Sequence, residues 1–221
     1  MKRLFIYLFT LSLLTAINAC DKDKPVPIPT TSGSISQEIL NAGFENWDTT
    51  NVPTSWSVSS GMISQSTDSH SGSYAALIWT WYISISELLV NGNYSPSFKY
   101  EIYKAGTPSS VKPASLHGVY KYTDVAPGDS AVAIVLLKKY NSMQSKIDTI
   151  GYGIKLLGPV NTYTTFQVDI VDMQPSVTPD SIVIAFSSSG NFLKSSPVDI
   201  KFCDGNTGNC SYLYIDELSL K

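Results

Sequence analysis

Two aromatic pairs, Trp79 with Trp81 and Tyr120 with Tyr122, share a spacing of two residues. On a strand, that spacing puts both rings of a pair on one face. Flat rings stack on the apolar C–H faces of sugars, and sugar hydroxyls take fixed polar partners. A pair facing solvent would therefore form a stacking platform for ligand binding. Large aromatics also fill the cores of sandwiches, and at least one of the two pairs is expected to do so. Trp47 and Trp56 flank an N-terminal turn and read as packing residues.

Covalent chemistry finds less support. Hydrolysis of a glycosidic bond needs two carboxyl groups facing each other at about 5 Å or about 6.5–9.5 Å. Glu87, Glu101, Asp169 and Asp172 are available, but such residues occur in any chain of this size. Asp169 and Asp172 would fall on opposite faces of a continuous strand. There is no Gly-x-Ser-x-Gly elbow and no glycine-rich phosphate loop after a strand. His70 reads as a turn residue and His117 as a partly exposed strand residue, neither in a metal-ligand spacing. No catalytic residue is assigned.

The cysteines point to compartment. Lys2 and Arg3 precede an apolar run, Leu4 to Ile17, that ends in Ile17-Asn18-Ala19-Cys20. The run is shorter than the about 20 apolar residues a spanning helix needs. It looks like a bacterial lipoprotein signal over residues 1–19, with lipid on Cys20; an ordinary secretory signal is the alternative. The reading places the protein outside the cytoplasm, on the outer membrane at the cell surface or its periplasmic side, held by acyl chains. Cys203 and Cys210 enclose a Gly- and Asn-rich turn and are expected to close a small disulfide loop in an oxidising compartment. A metal site there is discounted, since no second cysteine pair or histidine lies nearby.

Removing residues 1–19 takes away two positive charges, so the net charge moves from −3 to about −5. No Lys/Arg cluster exists to follow a phosphate backbone, which argues against nucleic acid as a partner. Residues 20–36 read as a tether, charged at Asp21-Lys22-Asp23-Lys24 and stiffened by Pro25, Pro27 and Pro29. Residues 37–221 then form one domain with almost no helical periodicity. Strand-like runs cover Tyr74–Ile85, Leu116–Thr123, Ala131–Leu137, Tyr163–Val171, Ser181–Phe186 and Tyr212–Leu220. The unbroken apolar run at Ala131–Leu137 suits a strand buried on both faces. Ser86-Glu87-Leu88-Leu89 is the one stretch that could be helical. Turn signals such as Pro127-Gly128-Asp129, Gly158-Pro159 and Pro179-Asp180 separate the runs. The expected class is all-β, an antiparallel β-sandwich of jelly-roll type.

Three segments sharpen that expectation: Asn41-Ala42-Gly43-Phe44-Glu45-Asn46-Trp47, Ser69-His70-Ser71-Gly72-Ser73-Tyr74-Ala75, and Tyr214-Ile215-Asp216-Glu217-Leu218. Together they resemble carbohydrate-binding modules of the jelly-roll type. The resemblance implies that these segments meet beside a structural calcium ion. Glu45 and Asp216 would give carboxylate oxygens, and the turn at Ser69 and Ser71 backbone carbonyls. The alternative is that Glu45 caps a turn and Asp216 bonds to backbone amides. Further pieces follow in order, among them Gly118-Val119-Tyr120-Lys121-Tyr122, Pro127-Gly128-Asp129-Ser130 and Phe186-Ser187-Ser188-Ser189. This series is similar to the putative carbohydrate metabolism domain of Bacteroidetes lipoproteins, over roughly Gln37 to Lys221. The Cys203–Cys210 interval departs from that pattern, and the resemblance supplies no catalytic residues. It implies non-covalent binding of carbohydrate within a glycan-utilisation system. A glycoside hydrolase or lyase, and an adhesive module that binds protein, stand as alternatives.

Overall fold

The alternation of apolar and polar residues along this chain produces two antiparallel sheets with their apolar faces opposed. The computed structural model describes residues 38–58, 62–80, 88–92, 105–124, 129–190 and 210–221. Residues 35–221 make up one compact unit, and residues 1–34, a separate unit, lie outside the described residues. The signal, Cys20 and the whole tether thus fall outside them, as do Trp81 and Cys203.

Twelve strands occur among the described residues: β1 (Trp56–Val58), β2 (Ile63–Ser66), β3 (Ala75–Thr80), β4 (Leu89–Asn91), β5 (Thr107–Pro108), β6 (Ser115–Thr123), β7 (Ala131–Asn141), β8 (Lys146–Leu157), β9 (Val160–Asp169), β10 (Val171–Asp172), β11 (Ser181–Ser187) and β12 (Ser211–Leu220). One sheet runs β1-β4-β11-β7-β8-β10, with β5 also paired to β11. The other runs β2-β3-β12-β6-β9. The fold is the all-β jelly-roll sandwich that the strand-like runs and turn signals of the sequence anticipate. Of the stretch read as helical, Ser86 and Glu87 lie outside the described residues, while Leu89 opens β4, which pairs with β1 and β11, so sheet pairing overrides helix propensity at Leu89.

The core between the sheets follows the period of two. Leu116, Tyr120 and Tyr122 of β6 point inward, as do Phe166 and Val168 of β9, Leu213 and Ile215 of β12 and Ile182, Ile184 and Phe186 of β11. β7 is buried on both faces, as its apolar run requires. Ala131, Ala133, Val135 and Leu137 join the main core, while Val132 and Ile134 join a second cluster with Leu88, Val90, Val183 and Ala185. The rings of Phe44, Trp56, Phe186, Phe166 and Tyr120 contact in sequence, with centroids 5.1, 6.3, 6.1 and 6.0 Å apart. Such tilted and edge-on pairs contribute about 0.5–1.5 kcal/mol each beyond burial.

The chain changes sheet at Ile170. β9 pairs with β6, whereas β10 pairs with β8 in the opposite sheet. Asp169 and Asp172 therefore belong to different sheets rather than to two faces of one continuous strand. Gly153 permits the crossing, because a Cβ there would lie 2.5 Å from the Asp169 carbonyl oxygen.

Two outcomes are expected. A Cβ at Gly118 would lie 2.7 Å from Leu218 and 2.8 Å from the Phe166 ring. Gly118→Ala is expected to cost about 1–3 kcal/mol in denaturant unfolding, through overpacking. The carboxylates of Asp172 and Asp180 are held below their ordinary value chiefly by Lys112 and Lys139, that of Asp148 by Asn141, and that of Asp48 by the Val52 N–H. Groups depressed in the folded state contribute stability above their unfolded value, 3.8, and lose it as pH falls through the lower folded values. Thermal melts should show Tm falling as pH drops below about 4, and less steeply in a double Asp172→Asn, Asp180→Asn variant.

Candidate functional site

The N-terminal turn shows how three adjacent residues do three jobs. Asn41 and Phe44 both adopt positive φ, 52° and 53°, and the Phe44 N–H donates to the Asn41 carbonyl at 3.1 Å. This tight turn drives Phe44 into the core, where it is fully buried. Gly43, just before it, passes close to Asp216, and a Cβ there would lie 3.8 Å from Oδ1. Glu45, just after it, reaches the loop before β3. Its carboxylate accepts the N–H of Ser73 at 3.0 and 3.1 Å and that of Tyr74 at 3.2 Å. Gly72 sits against that carboxylate with φ of 63°, so any side chain there would collide with Glu45.

Asp216 holds the same loop from the other side. It is fully buried on β12, where Oδ2 accepts the N–H groups of His70 at 3.0 Å and Ser71 at 3.2 Å. Oδ1 accepts the Glu217 N–H at 2.8 Å. Burial raises the Asp216 carboxyl, and the three N–H donors oppose that shift by favouring its charged form. A bulge follows, with Glu217 at φ 51°, so that Leu218 returns to the core and the Glu217 carboxylate meets His70 Nδ1 at 2.8 Å.

The first and last parts of the folded unit thus meet at the 69–74 loop. What the loop presents to both carboxylates is N–H, the arrangement of capped and amide-bonded acids. Calcium takes six to eight oxygen ligands. Each ionised carboxylate has roughly four lone-pair sites, so sharing with a hard cation is compatible with these donors. Among the described residues no three or more His, Cys, Asp or Glu side chains are so placed that they alone could hold a metal ion. Cys210 is buried and disulfide-bonded.

The ring pairs separate. Tyr120 and Tyr122 are only 8% and 0% exposed, and their hydroxyls donate to the carbonyls of Gly158 at 3.2 Å and Ser188 at 2.8 Å. They belong to the core and cannot form a stacking platform, which corrects the expectation for that pair. The physical reason is their shared face with Leu116, which the apolar pattern of β6 sends inward.

Trp79 lies on the opposite, outer face of the same sheet and is partly exposed. Register places it directly across from Tyr212 of β12, which in turn faces Thr123 of β6. The next row is Leu77, Tyr214 and Lys121. Directly opposed side chains on one face have Cβ atoms about 4.5–5.5 Å apart. Lys121 Nζ lies 4.2 Å from the Tyr214 ring centroid and 5.4 Å from that of Tyr163 on β9, and it pairs with Asp68. Tyr163 donates its hydroxyl to the Asp68 carbonyl at 2.6 Å, and His70 packs edge-on against its ring at 5.6 Å. The outer face therefore carries Trp79, Tyr212, Tyr214 and Tyr163, bordered by the loop that Glu45 and Asp216 fix. The three tyrosines were not singled out from the sequence, although Tyr212 and Tyr214 alternate with the aliphatic Leu213 and Ile215.

No protein-family model matches this sequence, and no curated protein does. Solved structures do match in fold. One, from Bacteroides thetaiotaomicron and described as a "putative glycoside hydrolase", has a TM-score of 0.54 at 13% identity. The match covers 73% of this chain, which spans 57% of that one. TmCBM61, solved in complex with beta-1,4-galactotriose, is similar with a TM-score of 0.43 at 12% identity over 84% of this chain and 99% of that one. The K2 cleaved adhesin domain of Lys-gingipain is similar with a TM-score of 0.45 at 10% identity, covering 81% and 96%. At such identities the likeness is one of fold.

The clasp makes its own prediction. Asp216→Ala would take the acceptor from the part-buried N–H groups of His70 and Ser71, each at a cost of up to about 1–3 kcal/mol. Urea unfolding should show a loss of about 2–5 kcal/mol, and hydrogen exchange at residues 70–74 should rise in parallel.

Proposed function

We propose that this protein binds carbohydrate non-covalently on the outer face of the β2-β3-β12-β6-β9 sheet. The observation that supports it is the placing of Trp79 directly opposite Tyr212 on a face that also carries Tyr214 and Tyr163. Two partly exposed rings at directly opposed positions on neighbouring strands offer apolar area to the C–H face of a sugar. The neighbouring Thr123, Lys121 and Asp68 supply hydrogen-bond donors and acceptors at its edge. The sandwich positions these groups on strands rather than loops, so little conformational entropy is lost when a ligand docks. In this reading the protein is a lipoprotein anchored through Cys20 to the outer membrane, belongs with the carbohydrate metabolism domains it resembles and serves a glycan-utilisation system. A calcium ion shared by Glu45 and Asp216 would brace the clasp without taking part in binding, and a disulfide between Cys203 and Cys210 would close the loop ahead of β12.

Retention of the protein in affinity gels cast with a panel of polysaccharides tests the reading. Trp79→Ala and Tyr212→Ala are expected to weaken retention at least tenfold without lowering Tm by more than a few degrees, because both rings are partly exposed. Tyr122→Phe, a core change, should leave retention unaltered. Passage through every gel without delay would rule the proposal out. A rise in Tm on adding millimolar calcium, reversed by chelation, would support the ion, and an unchanged Tm would remove it.

A further inference from the structure

We infer that the outer aromatic face takes a neutral glycan, whose hydroxyls are held by the Lys121–Asp68 pair, rather than a glycan bearing uronate or sulfate groups. The inference rests on the carbohydrate reading above and narrows it to a substrate class. The asymmetry of the pair carries it. Lys121 is recessed, with 17% of its side chain exposed, while Asp68 is 54% exposed. The ammonium is held between the rings of Tyr214 and Tyr163 and already neutralised by Asp68. What the pair shows to an arriving ligand is therefore mostly carboxylate oxygen.

The same edge carries a second carboxylate. Glu217 is 41% exposed and pairs with His70, itself 44% exposed. An anionic sugar on this face would meet Asp68 and Glu217 before it met Lys121. To reach the lysine it would have to displace Asp68 and leave that carboxylate without its partner. Like charges at contact distance cost energy, whereas a hydroxyl donates readily to a carboxylate. Ionised Asp68 has roughly four lone-pair sites, of which the Lys121 contact uses one. Adjacent hydroxyls on a neutral ring stacked against Tyr214 can use the others.

Affinity gels test this with neutral polysaccharides (galactan, xylan, mannan) and acidic ones (polygalacturonate, alginate, chondroitin sulfate). Delay is expected in at least one neutral gel and in none of the acidic ones, with little change at 0.5 M NaCl. Asp68→Asn should weaken neutral retention at least fivefold. Lys121→Met should do the same, and Tm measured on each variant separates a lost contact from a lost fold. Delay in any acidic gel, abolished by salt, overturns the inference while leaving the carbohydrate reading standing. So does unaltered neutral retention in both folded variants. Absence of delay in every gel overturns both.

Discussion

The clasp around the 69–74 loop is the interaction on which the rest of this structure depends. Two acidic side chains from opposite ends of the folded unit accept N–H groups from one short loop. Asp216 supplies the buried anchor, and Glu45 the more exposed one. A charged group without partners would be costly inside a sandwich, so the loop is obliged to keep its amides aimed at the acids. That obligation fixes the position of His70 and borders the ring-bearing face. The same turn that presents Glu45 drives Phe44 into the aromatic column, so clasp and core are set by three consecutive residues.

Division of labour between the two faces of one sheet explains how structure and candidate site coexist. Inward positions of β6 and β12 are spent on packing, with Tyr120, Tyr122, Leu213 and Ile215 meeting the opposite sheet. Outward positions on the same strands hold Lys121, Tyr212 and Tyr214. Alterations on the outer face can therefore change recognition while the inner face keeps the sandwich closed. Lys121 crosses between the two roles, since its contacts with Tyr163, Tyr214 and Asp68 order the rings and the loop together.

Much of this was legible in the sequence. The apolar run of β7 predicted a strand buried on both faces, and Val132 and Ile134 are indeed covered, like their neighbours Ala133 and Val135. Trp47 and Trp56 pack where their turn context placed them. A spacing of two shows that rings share a face but leaves open which face. For Tyr120 and Tyr122 the sense was available in the alternate set His117, Val119, Lys121 and Thr123, which is polar at three of its four positions. β8 escaped notice because Gly151, Gly153 and Lys155 interrupt its apolar pattern, while its pairing with β7 holds it in place. The choice between carbonyl and N–H as the loop's offering to Glu45 and Asp216 is a matter of peptide orientation, which residue types do not encode.

The order of strands also bears on how the chain acquires its shape. Among the described residues β12 follows every other strand in sequence, yet it lies in the middle of its sheet, hydrogen-bonded to β3 on one side and β6 on the other. During synthesis on the ribosome, β3 and β6 emerge long before the strand that must separate them. Both present open edges until residues 211–220 arrive. Contacts so distant along the chain close slowly, because loop entropy must be overcome before pairing is rewarded. A nascent chain interrupted before β12 would be a target for proteases or for edge-to-edge aggregation, because β3 and β6 are joined only once residues 211–220 lie between them.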